Sequence, residues 1–355
     1  MSRALELARR GMYSTHPNPR VGCVLVKDGQ VVGEGWHQQA GGPHAEVVAL
    51  ENAGENAVGA RCYVTLEPCS HQGRTGPCCE TLVEAGVTSV VAAMGDPNPS
   101  VAGQGIERLR KAGIDTSLGL MQAQAEALNP GHVMRMTQGR PYIRCKMAMS
   151  LDGRTAMADG QSKWITGEAA RADVQALRAV SSAVMTGVDT VLADDPSLNV
   201  REVDIGERES LRIVLDRNLR LPREAKMLSL PGRTLVYTCS TDDDRIALLN
   251  KQGAEIHRLE PQGFLTGVMQ DLASIEINEV LLESGATLAG AMIEAGLVDE
   301  IILYQAPVLM GDEARGLFQL PGVKGMDSKL ELTLLDERMV GKDRKLTYRV
   351  NQGMN

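Results

Sequence analysis

Short apolar runs alternate with helix-patterned stretches along most of this chain, which leaves few ways to bury its surface other than helices packed on sheets. Val21 to Val26 reads as a strand, Asp28-Gly29 as a hairpin turn, and Val31-Val32 as the returning strand. Ala45 to Asn52 is helix-patterned and closed by Gly54. Strand 62–66, helix 78–85, strand 88–93, helix 103–112, strand 114–118 and a long helix 121–137 follow. Gly139-Arg140-Pro141 then breaks the pattern and marks a domain boundary, giving domains 1–140 and 141–355. The second series has strands at 142–149, 182–186, 211–215, 234–238, 278–282 and 298–304, with helices near 168–179 and 287–295. Segments 200–210 and 221–233 are charged or contain Pro and Gly, and read as surface loops.

The fold class is therefore α/β, in two domains, and 355 residues suffice for two cores without disulfides. With 37 basic against 45 acidic residues the net charge is −8, which argues against binding a nucleic-acid backbone. Two Phe, two Trp and six Tyr are too few for a base-stacking channel. Residues 1–14 suggest an amphipathic helix with no apolar signal core, and no run of eighteen apolar residues offers a membrane span. The expected setting is cytoplasmic, with no membrane partner, and the seven cysteines are expected to stay reduced.

Chemistry concentrates in the first domain. Pro43-His44-Ala45-Glu46 is followed by Glu67-Pro68-Cys69 and by Pro77-Cys78. A catalytic zinc site takes three protein ligands and leaves one position open, and His44, Cys69 and Cys78 supply an imidazole and two thiolates. Glu46 lies two residues from His44, a spacing that brings both to one site only in the first turn of a helix. Pro77 favours a helix start at Cys78, where the helix terminus also favours a thiolate. Zinc lowers the pKa of bound water to about 7, and a carboxylate that is not a ligand can then shuttle the proton to a leaving ammonia. Nucleobase deaminases carry that scheme on H-x-E and P-C-x-x-C, whereas eight residues, Ser70 to Pro77, separate the cysteines here. The insertion is polar and carries Arg74, which suits a phosphorylated substrate. Cys79 would point about 100° round the helix from Cys78 and is a poor fourth ligand. Cys23, Cys62, Cys145 and Cys239 read as buried small hydrophobes.

The second domain is less explicit. Glu283-Ser284-Gly285-Ala286-Thr287-Leu288-Ala289-Gly290 joins a strand to a helix, and its small residues would let backbone N–H groups approach an anion. It is not G-x-G-x-x-G, so it is as readily a plain strand–helix connection as a phosphate site. Ser150 to Gly153 and Ala193 to Pro196 read as turns.

With these residues in place, the chain resembles the bacterial bifunctional deaminase–reductases of riboflavin biosynthesis over essentially its whole length. The likeness rests on HPNPRVGCVLV, GPHAEVVAL, YVTLEPCSHQGRTGPCC, DPNPSVAG, SLDGRTA, WITGEAAR, TVLADDPSLNVR and ESGATLAGA. The wide cysteine spacing belongs to that family's own pattern. The resemblance implies a cytidine-deaminase-like αβα sandwich followed by a dihydrofolate-reductase-like α/β domain, which would account for the missing dinucleotide fingerprint. It implies one zinc per chain, NADPH, and small phosphorylated pyrimidines as substrates. The reactions implied are deamination of a diaminopyrimidinone ribosyl phosphate and reduction of its ribosyl group to a ribityl chain.

By the same resemblance, Asn18, His37, Arg74 and Asn98 would contact the first substrate, although Asn18 and Asn98 also suit turns and His37 a solvated strand end. Ala148, Trp164, Thr190, Asp194, Gly285, Ala286, Thr287, Leu288, Ala289, Gly290 and Ala291 would lie beside NADPH. Ser162, Arg178, Leu198, Arg201 and Glu283 would face the second substrate, with Arg178 and Arg201 as phosphate forks unless Arg178 faces water. Lys146 or Asp194 would assist protonation when a hydride reaches C1′. Two other readings compete: a single-activity nucleoside or nucleobase deaminase with a regulatory second domain, and an interaction protein with a structural zinc. Two domains with exposed loops are also compatible with a homo-oligomer.

Overall fold

Val24 and Leu25 lie buried in the first strand of a computed structural model that describes residues 1–70, 76–206, 208–209 and 211–351. The chain divides into two compact units, Met1–Arg140 and Pro141–Asn355.

In the first unit β1 (Gly22–Lys27), β2 (Gln30–Trp36), β3 (Arg61–Val64), β4 (Ser89–Ala92) and β5 (Asp115–Leu118) form one sheet in the order β2-β1-β3-β4-β5. β1 runs antiparallel to both neighbours, whereas β3, β4 and β5 are parallel. The hairpin turn lies at Asp28-Gly29, both at positive φ. The helices are α1 (Ser2–Arg9), α2 (Ala45–Ala53), α3 (Cys78–Glu84), α4 (Gln104–Lys111), α5 (Gln122–Leu128) and α6 (Pro130–Gln138). Leu25, Leu82 and Leu109 are fully buried in the core between sheet and helices, each worth about 1.5–3 kcal/mol. α2 rests directly on β2: a Cβ at Gly35 would come within 2.4 Å of the Ala45 carbonyl, and one at Gly33 within 2.2 Å of Ala49 O. Those two glycines let the helix carrying Glu46 sit down on the strand that leads to His37.

Two expectations are corrected in this unit. The first helix ends at Arg9 instead of reaching residue 14, because the chain turns at Gly11, where a Cβ would meet His37 O at 2.8 Å. The long helix 121–137 is two helices, broken at Asn129-Pro130. Pro130 has no N–H to continue the ladder, and the Asn129 side chain instead bonds both the N–H and the carbonyl of Arg20, at 2.7 and 3.0 Å.

The second unit holds β6 (Tyr142–Met149), β7 (Arg154–Ala156), β8 (Ala183–Gly187), β9 (Leu211–Leu215), β10 (Thr234–Thr238), β11 (Ala254–Arg258), β12 (Glu279–Glu283), β13 (Glu300–Gln305), β14 (Arg315–Gly316), β15 (Leu332–Val340) and β16 (Asp343–Val350). Nine of them form a sheet in the order β11-β10-β9-β8-β12-β6-β13-β16-β15, and β7 pairs with β14. The sheet is parallel from β11 to β13, and its last two strands are antiparallel. Central strands such as β9 and β10 are buried along their whole length, which is why they read as plain apolar runs. The helices are α7 (Glu168–Val180), α8 (Val188–Asp194), α9 (Asp243–Lys251), α10 (Phe264–Ser274) and α11 (Ala286–Glu294).

Sequence reading passes over β7, β11, the β14–β16 strands and α8 to α10. β11 is an edge strand in which only Ala254 is buried, so its apolar signal is weak. β15 is exposed at eight of nine positions and shifts register between Leu334 and Asp336, which scrambles the alternation. Loop 221–233 is held from inside: the fully buried Arg212 donates to the carbonyls of Leu230, Pro231 and Gly232.

Candidate functional site

His44 caps the start of α2, Glu46 lies in its first turn, and Cys78 opens α3 directly after Pro77. Nδ1 of His44 and the two Sγ atoms of Cys69 and Cys78 all lie within 4.8 Å of one another. The His44 nitrogen is 3.3 Å from the Cys78 sulfur and 3.6 Å from the Cys69 sulfur. A tetrahedral zinc about 2.3 Å from sulfur and about 2.0 Å from nitrogen sets N···S edges of about 3.5 Å, so the three donors fit that ion. The backbone also suits thiolates, since the Cys78 N–H at the start of α3 points at Cys69 Sγ, 3.3 Å away. A hydrogen bond from the Cys78 thiol, and others from His44 and that N–H, hold Cys69 well below the usual thiol range against the effect of burial. Cys79 is no fourth ligand: it is fully buried in the apolar core.

Glu46 is only 4% exposed, and burial pushes its carboxyl up to about 7, where it can both take and give a proton at neutral pH. Its neighbours are the site itself, with His44, Cys69 and Cys78 all acting on it. His37 is buried beside it all, its ring edge-on to that of His44 with centroids 5.5 Å apart. Burial lowers its pKa, and its two nitrogens meet Pro43 O and the Asn18 amide. The solvated strand-end reading of His37 is therefore corrected.

Asn98 lies on the 96–103 segment, where its Oδ1 accepts the Ser100 N–H at 3.1 Å, so it does make a turn. Arg74 lies outside the described residues. Cys23, Cys62 and Cys145 are buried as expected, whereas Cys239 is half-buried at the end of β10.

In the second unit a cleft of about 1620 Å³ opens at the carboxyl ends of β8, β9 and β12. Its lining includes Lys146, Ala148, Ser162, Trp164, Arg178, Thr190, Asp194, Leu198, Arg201, Glu283, Gly285, Ala286, Thr287, Leu288 and Ala291. Ala289 and Gly290 are not among them. Ala289 is fully buried on the inner face of α11, and a Cβ at Gly290 would come within 1.8 Å of Gln319 O, so that glycine serves packing. Gly285, at the start of α11, has nothing within 4 Å of where a Cβ would stand. The cleft therefore offers an open helix N-terminus and space on the scale of a dinucleotide with a second small molecule.

Arg178 does not face water. Its Nε and Nη2 donate to the two oxygens of Glu283 at 2.6 and 3.1 Å, and its Nη1 to Asn199 O at 3.0 Å. Burial alone would raise Glu283; Arg178, then Lys146, outweigh it and hold that carboxyl below its ordinary range. Asp194 pairs with Lys163 at 3.1 Å. Trp164 is exposed, with the Arg171 guanidinium 4.6 Å above its ring. Sequence reading missed Lys163, Arg217, Arg220 and Phe318, which also line the cleft. Two of these had a signal: Arg217 and Arg220 follow β9, and ligands of parallel sheets gather beyond the carboxyl ends of strands.

The donor set and its buried carboxyl define a class, the zinc-dependent deaminases, here joined to a second unit with a ligand cleft at the carboxyl ends of a parallel sheet. Residues 1–94 match the cytidine and deoxycytidylate deaminase zinc-binding region, and residues 141–346 match the RibD C-terminal domain. Riboflavin biosynthesis protein RibD of Escherichia coli is 51% identical over 360 residues, covering 97% of this chain and 96% of that protein. The Haemophilus influenzae protein of the same name is 48% identical, covering 98% and 96%. Among solved structures, Acinetobacter baumannii RibD is similar at a TM-score of 0.92 and 48% identity, covering 99% of this chain and 98% of that one. The Thermotoga maritima diaminohydroxyphosphoribosylaminopyrimidine deaminase/5-amino-6-(5-phosphoribosylamino)uracil reductase is similar at 0.87 and 31%, covering 99% and 97%. The chain belongs to the RibD family, the bifunctional deaminase–reductases of riboflavin biosynthesis. Both competing readings, the single-activity deaminase and the structural-zinc protein, fall with that membership. Among the described residues no helix is long and apolar enough to cross a membrane.

Proposed function

We propose that the unit Met1–Arg140 deaminates 2,5-diamino-6-(5-phosphoribosylamino)pyrimidin-4-one, and that Pro141–Asn355 reduces the ribosyl group of the resulting 5-amino-6-(5-phosphoribosylamino)uracil to ribityl. The observation that carries the reading is the convergence of three metal donors within 4.8 Å beside a buried carboxyl, in a unit separate from the large cleft.

His44, Cys69 and Cys78 hold the zinc, which when bound supplies the Lewis acidity that makes water nucleophilic at neutral pH. Glu46 takes a proton from the attacking water and passes it to the departing amine, so that water and a ring amine become a ring carbonyl and ammonia. Asn18, oriented by His37, meets the pyrimidine edge; Asn98 and Arg74 serve the same substrate.

In the second unit the start of α11, with Ala148, Trp164, Thr190 and Asp194, holds NADPH, which when bound supplies the hydride. Arg178 and Arg201 bind the substrate phosphate: three Arg178 N–H groups are engaged by Glu283 and Asn199, and its remaining donors stay available. Ser162 and Leu198 complete that end. Because Asp194 is paired with Lys163, proton delivery is assigned to Lys146.

Glu46→Gln tests the first half. It should keep about one zinc per chain, lose ammonia release by a factor of about 10²–10⁴, and still reduce pre-deaminated substrate with NADPH. Persisting deamination removes Glu46 from the chemistry; joint loss of reduction argues against two separate sites.

A further inference from the structure

Glu67 immediately precedes the Pro68-Cys69 step, yet its carboxylate is not in the metal-donor cluster and binds backbone N–H groups instead. Oε2 accepts the N–H groups of Asp96 at 3.1 Å and Gly103 at 3.0 Å. Oε1 accepts those of Gly105 at 2.9 Å and Ile106 at 3.2 Å. One carboxylate, 5% exposed, thus satisfies four main-chain donors.

Two consequences follow from which donors these are. Gly103 stands at the cap of α4 and has no side chain to bond the open helix end, so Glu67 supplies the cap and its negative charge from another part of the chain. Asp96 and Gly103 are the two ends of the 96–103 segment, and a single oxygen draws them together, closing the segment into a loop. Within that loop the Asn98 N–H donates to Asp96 Oδ1 at 2.9 Å, and Val101 and Ala102 donate to Asn98 O at 3.0 and 2.9 Å, so Asn98 is placed by the same closure. α4 is also pressed against the ligand-bearing turn: a Cβ at Gly105 would come within 1.9 Å of Pro68 O. The carboxylate and the Cys69 metal donor thus lie two residues apart on one stretch of backbone packed against α4.

We propose that Glu67 is a positioning residue of the deaminase, fixing the 96–103 loop in register with the Cys69 side of the metal site so that the loop grips the substrate ring. The proposal rests on the deaminase reading of this unit. Glutamine at this position keeps the shape but offers one accepting oxygen, and its NH₂ group would face two N–H donors, so two bonds are lost and the loop is released.

The test compares Glu67→Gln and Asn98→Ala with the parent full-length protein. Ammonia release by the parent, abolished by Glu46→Gln, establishes the deaminase reading independently. Glu67→Gln should raise the deaminase KM about tenfold with kcat within about twofold, keep one zinc per chain, and leave NADPH-dependent reduction unchanged. Amide hydrogen exchange should quicken by about tenfold or more at Asp96 and Gly103, the pair whose loss opens the loop, and less at Gly105 and Ile106. Unchanged KM, a fall in kcat alone, or zinc lost together with activity overturns the proposal. A raised KM in Glu67→Gln with none in Asn98→Ala keeps Glu67 in its role and moves the substrate contact to another residue of the loop.

Discussion

The side-chain amide of Asn18 lies 3.0 Å from Nε2 of His37, and Nδ1 of the same ring lies 2.9 Å from the carbonyl of Pro43. A carbonyl can only accept, so Nδ1 carries the ring hydrogen, Nε2 accepts, and Asn18 must present its NH₂ to the histidine. The amide oxygen is thereby turned to the other side, available to a donor on a pyrimidine. Asn18→Asp should reverse this relay, because a carboxylate has no hydrogen to give Nε2 and instead draws a proton onto the ring, leaving an anion where the amide met the substrate. Deaminase kcat/KM should fall about tenfold or more, with zinc content unchanged. An unaltered kcat/KM would leave Asn18 as a turn residue only.

Removing the metal should separate the two activities. Among the described residues, the group of three metal donors lies in Met1–Arg140, and the residues lining the cleft lie in Pro141–Asn355. Chelation should abolish ammonia release while NADPH oxidation on pre-deaminated substrate continues at its former rate, and added zinc should restore the former. Equal loss of both would place the metal in both reactions.

Where chemistry dictates spacing, the sequence was readable. His44 and Glu46 can share a site only at a helix start, and α2 begins between them. Central strands such as β9 announced themselves because burial on both faces permits little but apolar residues. Residues acting through backbone were not readable: Glu67 looks like part of a Pro-Cys motif, and nothing in its neighbours tells of four N–H groups from residues 96–106. Nor does the run Gly285 to Ala291 reveal that α11 turns Ala289 and Gly290 inward, since small residues suit packing and ligand approach equally. The exposed β15 gave no alternation to find.

The Arg178–Glu283 pair makes a prediction about what such pairs are for. Their side chains are 11% and 12% exposed, so removing one partner strands the other charge in a poorly solvated place. Arg178→Met alone should cost about 3–5 kcal/mol in chemical unfolding of this unit. Arg178→Met combined with Glu283→Leu should recover most of that stability, because two apolar groups need no partner. Reductase activity should nevertheless stay down by about 10² or more in the double variant. Recovery of activity along with stability would show that the pair holds the fold and not the substrate.

His132 sets a pH limit on the first unit. It is 8% exposed on α6, neither ring nitrogen meets a hydrogen-bond partner among the described residues, and burial lowers its pKa to about 4. In the unfolded chain the same ring titrates near 6.5. Between those two values the unfolded chain binds more protons than the folded one, so stability must rise with pH across that window. The contribution is complete above about 6.5 and falls away as pH drops. It levels off below about 4, where both states are protonated, at a loss of about 3 kcal/mol. His132→Phe fills the site without a titrating group, and urea unfolding from pH 7 to 4 should show a correspondingly flatter decline than the parent. Parallel curves for the two proteins would mean that His132 is protonated without penalty in the folded state.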